Sequence, residues 1–114
     1  VSMRDIRAAS LRLSDLFIAE VEASCPDLRL VSPREGAMRG SQVSFRHPEG
    51  YAIMQALIAR GVIGDFRAPD ILRFGITPLY LTEQDIDHAV QHLANILDTR
   101  SWDHPEFKAR KAVT

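Results

Sequence analysis

The sequence predicts an α+β domain, a two-layer sandwich with a mostly antiparallel sheet and its helices gathered on one face. Two observations lead there. Apolar residues recur at helical spacing in three stretches, near residues 2–24, 48–60 and 82–98. Between those stretches lie two pairs of short extended segments bounded by proline, glycine and aspartate. The resulting order of helix, strand, strand, helix, strand, strand, helix places a small sheet against a helical layer.

Taken along the chain, Ser2 and Asp5 resemble a capping box, and Ile6, Leu13, Leu16, Phe17 and Val21 form the stripe of the first helix. Leu11 and Ile18 widen that stripe on one flank, so an exposed apolar patch is expected there. Pro26 ends the helix and leaves Cys25 as a packed helix-end residue without a nucleophile signature. A strand over 27–32 and a charged loop over 33–40, with Arg34, Glu35 and Arg39, lead into the clearest period-two signal, Val43 and Phe45 opposed to Gln42, Ser44 and Arg46. Together these read as a hairpin. Pro48 then sits at a first helical position followed by Tyr51, Met54, Leu57 and Ile58, and Arg60 with Gly61 closes that helix. In the last helix Thr82 is the expected N-cap, Asp85 its partner, and Leu81 with Ile86 a hydrophobic staple ahead of Val90, Leu93 and Leu97. The polar segment 99–114 reads as a loosely held tail with Trp102 and Phe107 as anchors.

At 114 residues, 46% hydrophobic and 25% charged, the chain suits one ordinary domain over 1–114. A net charge of -1 supplies no field for nucleic acid and no polybasic face for a membrane, so neither partner is expected. Cys25 is the sole cysteine, which excludes an internal disulfide and fits a cytoplasmic location. The opening at Val1, with Met3 close against the first helix, reads as a piece of a longer protein.

The segment of greatest functional interest spans residues 61–80, GVIGDFRAPDILRFGITPLY. It reads as two short strands joined by the turn Ala68-Pro69-Asp70. Alternation puts Leu72, Phe74 and Ile76 on one face and Ile71, Arg73, Gly75 and Thr77 on the other. A mid-strand guanidinium must meet an anion or stay wet, and Gly75 leaves room beside it. Arg73 is thus a candidate carboxylate clamp, although an arginine on a sheet's solvent face is ordinarily just solvated. Asp65 and Arg67, two apart on one strand face, either pair with each other or shape the turn. His88 and His92, with Asp85 near by, have a spacing that could hold a metal, but they fall roughly opposite the apolar seam and read as surface residues. His47 reads as a turn or capping residue, His104 lies in the tail, and no metal site is assigned. Gly36, Gly40 and Gly50 form no phosphate-binding fingerprint.

Residues 39–97 resemble the carboxy-terminal part of bacterial kynureninases, above all in RGSQVSFRHPEGY, in LIARGVIGDFRAPDILRFGITPLY and in the helix that follows. Kynureninases are pyridoxal-phosphate (PLP) enzymes of the aspartate-aminotransferase fold type. The resemblance implies the small carboxy-terminal domain of such an enzyme, with 1–24 as the tail of the helix linking it to a large PLP-binding domain. It further implies hydrolysis of L-kynurenine to anthranilate and L-alanine in tryptophan catabolism, the kynurenine pathway and NAD biosynthesis, by a cytoplasmic homodimer. Arg73 would bind the α-carboxylate of the small-molecule substrate, and Asp65 and Arg67 would lie near the mouth of the active site as further candidate contacts. PLP needs a pocket lysine, whereas the only lysines are Lys108 and Lys111, so no cofactor-binding or catalytic residue is assigned within the chain and the isolated chain is expected to be inactive. The competing readings are a stand-alone small-molecule-binding or dimerisation module, and the small domain of a cysteine desulfurase or aminotransferase.

Overall fold

The computed structural model describes residues 3–33, 42–76 and 81–108. The loop charges Arg34, Glu35 and Arg39, the cap residue Ser2, Thr77, the Pro78-Leu79-Tyr80 motif and Lys111 lie outside those residues. The elements are α1 (Met3–Ser24), β1 (Arg29–Leu30), β2 (Gln42–Arg46), α2 (Gly50–Ala59), β3 (Asp65–Arg67), β4 (Ile71–Gly75), α3 (Glu83–Thr99) and a short α4 (Pro105–Lys108). The four strands form one antiparallel sheet in the order β1-β2-β4-β3. The expected α+β sandwich is the observed one.

Strand alternation decides what each face carries. Val43 and Phe45 of β2 lie opposite Phe74 and Leu72 of β4, and all four are buried. Phe17 of α1 seals this face, with its ring 6.0 Å from Phe45 and 5.0 Å from Phe74. The opposite face carries Gln42, Ser44, Arg46, Ile71, Arg73 and Gly75, none of them fully buried. One side of the sheet is therefore core and the other is available for chemistry.

Helix α1 differs from expectation on its flank. Ile18 is only 6% exposed and Leu11 is half-buried, so the flank is not an open apolar patch. The reason is that α1 packs against α3 as well as against β2, which requires a stripe wide enough for two neighbours. Ser10 adds a long-range tie, its Oγ donating to the Ile76 carbonyl at 3.2 Å.

Helix α2 starts later than Pro48. The His47 carbonyl accepts from Gly50 N at 2.9 Å and His47 Nδ1 accepts from Glu49 N at 2.9 Å, so Pro48 and Glu49 form a turn ahead of the helix. A Cβ on Gly50 would stand 3.0 Å from the Asp70 carbonyl, a contact that presses the helix start against the β3–β4 turn. The stripe is also rotated: Ile53 is buried, whereas Ile58 is 46% exposed and Tyr51 half-buried against the Phe66 ring. This nearly all-apolar helix contacts β3, β4, α3 and α4, and its neighbours rather than its pattern select the buried face.

Helix α3 matches its cap signals and its Ile86, Val90 and Leu93 seam, but in its last turn Ile96 is buried and Leu97 half-buried. Thr82 Oγ1 accepts from Asp85 N while the Asp85 carboxylate accepts from Thr82 N at 2.8 Å, and Leu81 packs on the core beside Ile86. It closes at Arg100 in a left-handed conformation (φ 53), with Ser101 N donating to the Ile96 carbonyl. That reversal turns Trp102 back into the core at 6% exposure, its ring 6.5 Å from His47 and under the Arg100 guanidinium at 4.9 Å. Asp103 ties the segment down through Arg100 and Lys108, which hold its carboxyl below the usual range. The segment after α3 is thus anchored through Lys108 more firmly than a loose tail. Among the described residues no helix is long and apolar enough to cross a membrane.

Two titrations test this packing. Burial between α1 and α3, a hydrogen bond with Asp87 and the nearby charges of Asp87 and Glu83 push the Glu20 carboxyl up to about 7 from its ordinary value of 4.5. The fold then holds a proton that the unfolded chain releases, so this contribution is fully present below about pH 4.5 and is lost as pH rises through about 7. Glu20→Gln is expected to stabilise the domain at pH 8 by on the order of 1 kcal/mol and to leave it nearly unchanged at pH 4, as read from denaturant midpoints at the two pH values. For Cys25, 1% exposed, burial first and then the charges of Asp98 and Asp27 push the thiol up to about 11. A thiol reagent at pH 8 should label the native chain at least roughly 100-fold more slowly than the unfolded one, at a rate that follows unfolding.

Candidate functional site

The open face of the sheet brings together the residues singled out in the 61–80 segment. Arg73 lies at the middle of β4, an interior strand, with Ser44 of β2 opposite on one side and Asp65 of β3 opposite on the other. Its backbone is fixed by both neighbours, while Leu72 and Phe74 bury the far side of the same strand. Among the described residues a Cβ built on Gly75 meets nothing within 4 Å, so none of them fills the space beyond Arg73 along its face.

Asp65 is the partner of Arg73. Arg73 Nε donates to Asp65 Oδ1 at 2.6 Å and Nη2 donates to Oδ2 at 2.8 Å, a side-on bidentate bridge. Those hydrogen bonds hold the Asp65 carboxyl below its ordinary range and push the Arg73 guanidinium up. Of the two alternatives for Asp65 and Arg67, pairing with each other or shaping the turn, the first is corrected: Arg67 shares its face and lowers Asp65 only through its charge, while the hydrogen bonds run across the hairpin to Arg73. The signal was present in the sequence. Asp65 and Arg73 are equidistant from Pro69, and an antiparallel hairpin centred there pairs them directly.

The turn itself is held from outside. Asp70 accepts from Arg46 Nε at 3.3 Å, and its carbonyl accepts from His47 N at 3.1 Å. Gly64, just before β3, approaches so closely that a Cβ would lie 3.0 Å from both the Arg73 carbonyl and Met54 Cε. The segment that carries Asp65 is therefore pressed onto the strand that carries Arg73.

Beside the pair opens a cleft of about 610 Å³. Phe17, Phe74, Ile76 and Ile86 supply apolar lining, and Asp65, Arg73, His88 and His92 supply polar groups. His88 is exposed and His92 half-buried, so the latter is less solvated than its helical phase suggests. Among the described residues no group of three or more histidine, cysteine, aspartate or glutamate side chains is placed to hold a metal ion. Arg60, at the same cleft, is engaged by Asn95 Oδ1 at 2.9 Å and Ser101 Oγ at 3.3 Å. His47 serves the turn before α2, and burial pushes its imidazole down. His104 is exposed beside Phe107.

The described residues do not fit PLP. Lys108 is ion-paired with Asp103, its Nζ 5.6 Å from the Trp102 ring, and borders only a shallow recess of about 130 Å³ with Pro48, Glu49, Tyr51 and Ala52. A cofactor lysine needs an unengaged amine facing a pocket of cofactor size. What the site offers is a fixed guanidinium able to bind a carboxylate.

Known proteins agree with this architecture. The model of the kynureninase C-terminal domain matches residues 6–93. Kynureninases of Burkholderia mallei (strain SAVP1) and Burkholderia pseudomallei (strain 1106a) are each 58% identical over 114 residues, and that of Pseudomonas fluorescens is 56% identical. Each match covers 98% of this chain and 27% of the relative, so the chain spans about a quarter of the length of these proteins. Among solved structures a NifS-like protein superposes with a TM-score of 0.73 at 14% identity, covering 84% of this chain and 29% of its own, a likeness of fold. With the family model spanning most of its length, the chain belongs to the kynureninase C-terminal domain family.

Proposed function

We propose that this chain is the small domain of a kynureninase that hydrolyses L-kynurenine to anthranilate and L-alanine in tryptophan catabolism, and that its contribution is Arg73, the residue that binds the substrate α-carboxylate. The observation that carries the proposal is Arg73 itself, mid-strand on the uncovered face of the sheet, beside the gap at Gly75, with its guanidinium held by one carboxylate. Family membership supports the reaction, and the chain's share of its relatives' length leaves ample protein for a large domain. In this reading residues 1–24 are the interdomain helix, residues 99–114 are the carboxy-terminal tail, and the whole enzyme is a cytoplasmic homodimer.

PLP, held by a lysine of the large domain, would supply the electron sink for cleavage of the bond between Cβ and Cγ. The small domain binds and orients. A planar guanidinium grips both carboxylate oxygens, each charge-assisted hydrogen bond contributing about 1.5 to 3 kcal/mol, and so fixes the amino acid relative to the reacting groups. Without the large domain the chain has a carboxylate clamp and nothing to react with, so the isolated chain is inactive.

In the full-length enzyme Arg73→Ala is expected to raise KM and lower kcat, with kcat/KM falling on the order of 10² to 10⁴ if about 3 to 5 kcal/mol is lost. Arg73→Lys should restore only part, since a point charge does not reproduce the fork. Cofactor absorbance in the same preparation should stay at the wild-type level. Turnover within a fewfold of wild type, or cofactor lost in parallel with activity, would show that Arg73 has a different role.

A further inference from the structure

A guanidinium has two edges that can grip a carboxylate with two parallel bonds, Nε with one Nη and the pair of Nη groups at the tip. In this structure the first edge is taken. Asp65 Oδ1 and Oδ2 accept from Arg73 Nε and Nη2 at 2.6 and 2.8 Å. Among the described residues no side chain accepts from Arg73 Nη1, so the tip is the edge left for an incoming anion. The two side chains meet because β3 and β4 pair Asp65 with Arg73 directly.

We infer that Asp65 is a positioning residue: it occupies the side edge of Arg73 and thereby presents the tip, Nη1 with Nη2, to the substrate carboxylate. This rests on the reading of Arg73 given above. Three features favour the assignment over a plain surface ion pair. The bridge has two short, parallel bonds where exposed pairs ordinarily share one loose contact, as Arg46 and Asp70 do at 3.3 Å. Asp65 is a short side chain with little freedom, held on a backbone that Gly64 pins against the Arg73 carbonyl. And Asp65 and Arg73 both border the apolar cleft, where an amino acid carrying an aromatic ring could lay that ring.

Asp65 has a second effect. Its charge offsets that of Arg73, so the pair attracts a carboxylate through aimed N–H donors more than through net positive charge, which favours planar carboxylates over anions in general.

The test uses the full-length enzyme in five variant forms: Asp65→Ala, Arg73→Ala, the double variant, the size-conserving Asp65→Asn and the charge-conserving Asp65→Glu. Asp65→Ala and Asp65→Asn should each lower kcat/KM by roughly tenfold to a hundredfold, with KM rising and kcat falling less, while cofactor content and thermal midpoint stay near wild type. In the Arg73→Ala background the further change Asp65→Ala should alter kcat/KM by less than about twofold, because Asp65 acts only through Arg73. Asp65→Glu, which keeps the carboxylate, should recover part of the loss. Wild-type kinetics for Asp65→Asn alongside an impaired Arg73→Ala enzyme would overturn this inference and leave the role of Arg73 intact, and so would losses that multiply in the double variant. An unimpaired Arg73→Ala enzyme would overturn both.

Discussion

The contact on which this domain depends is the packing of Phe17 against Phe45 and Phe74, which commits one face of the sheet to the core. Once those rings are buried, strand alternation leaves no choice about the other side. Ser44, Arg73 and Gly75 must face outward because Phe45, Leu72 and Phe74 face inward. Register then does what sequence proximity does not, setting Asp65 beside Arg73 across two strands. The bridge between Asp65 and Arg73 is a by-product of core formation, and its geometry derives from the rigidity of the layer beneath it.

Much of this was legible in the sequence because the signals were local and strong. The period-two run at β2, the inward set Leu72, Phe74 and Ile76, and the capping box at Thr82 each rest on interactions within a few residues, and the structure repeats them. The misreadings came where one segment faces two neighbours. Ile18 is an outlier on a helical wheel drawn for one partner and an ordinary core residue once α3 is present. Ile53 and Ile58 are equivalent in hydropathy, and only the positions of β3, β4 and α4 decide that the first is buried. At Pro48, a position suited to a helix start was overruled by the His47 ring and carbonyl, which take up the Glu49 and Gly50 amides.

The candidate site shows the same division. That Arg73 sits on the uncovered face follows from alternation alone, and its proposed role follows from resemblance to kynureninases. The partner of Asp65 required a register, which a sequence contains only implicitly as symmetry about a turn. Trp102 is another such case. Nothing near it in sequence requires burial, and the left-handed residue at Arg100 is what returns it to the core.

The position of β3 at the margin of the sheet has a bearing on how this domain meets other chains. An outer strand carries a row of unsatisfied amides and carbonyls that invites foreign β-segments to join. Among the described residues that margin is three residues long, charged at Asp65 and Arg67, and followed after Ala68 by Pro69, while the opposite margin, β1, is two residues long and begins at Arg29. A foreign strand would find few backbone groups to pair with and would have to strip water from a charge at either border. Asp65, which bridges to Arg73, and its neighbour Arg67 therefore also shield the sheet from adventitious extension, so a substitution there that removes charge favours aggregation.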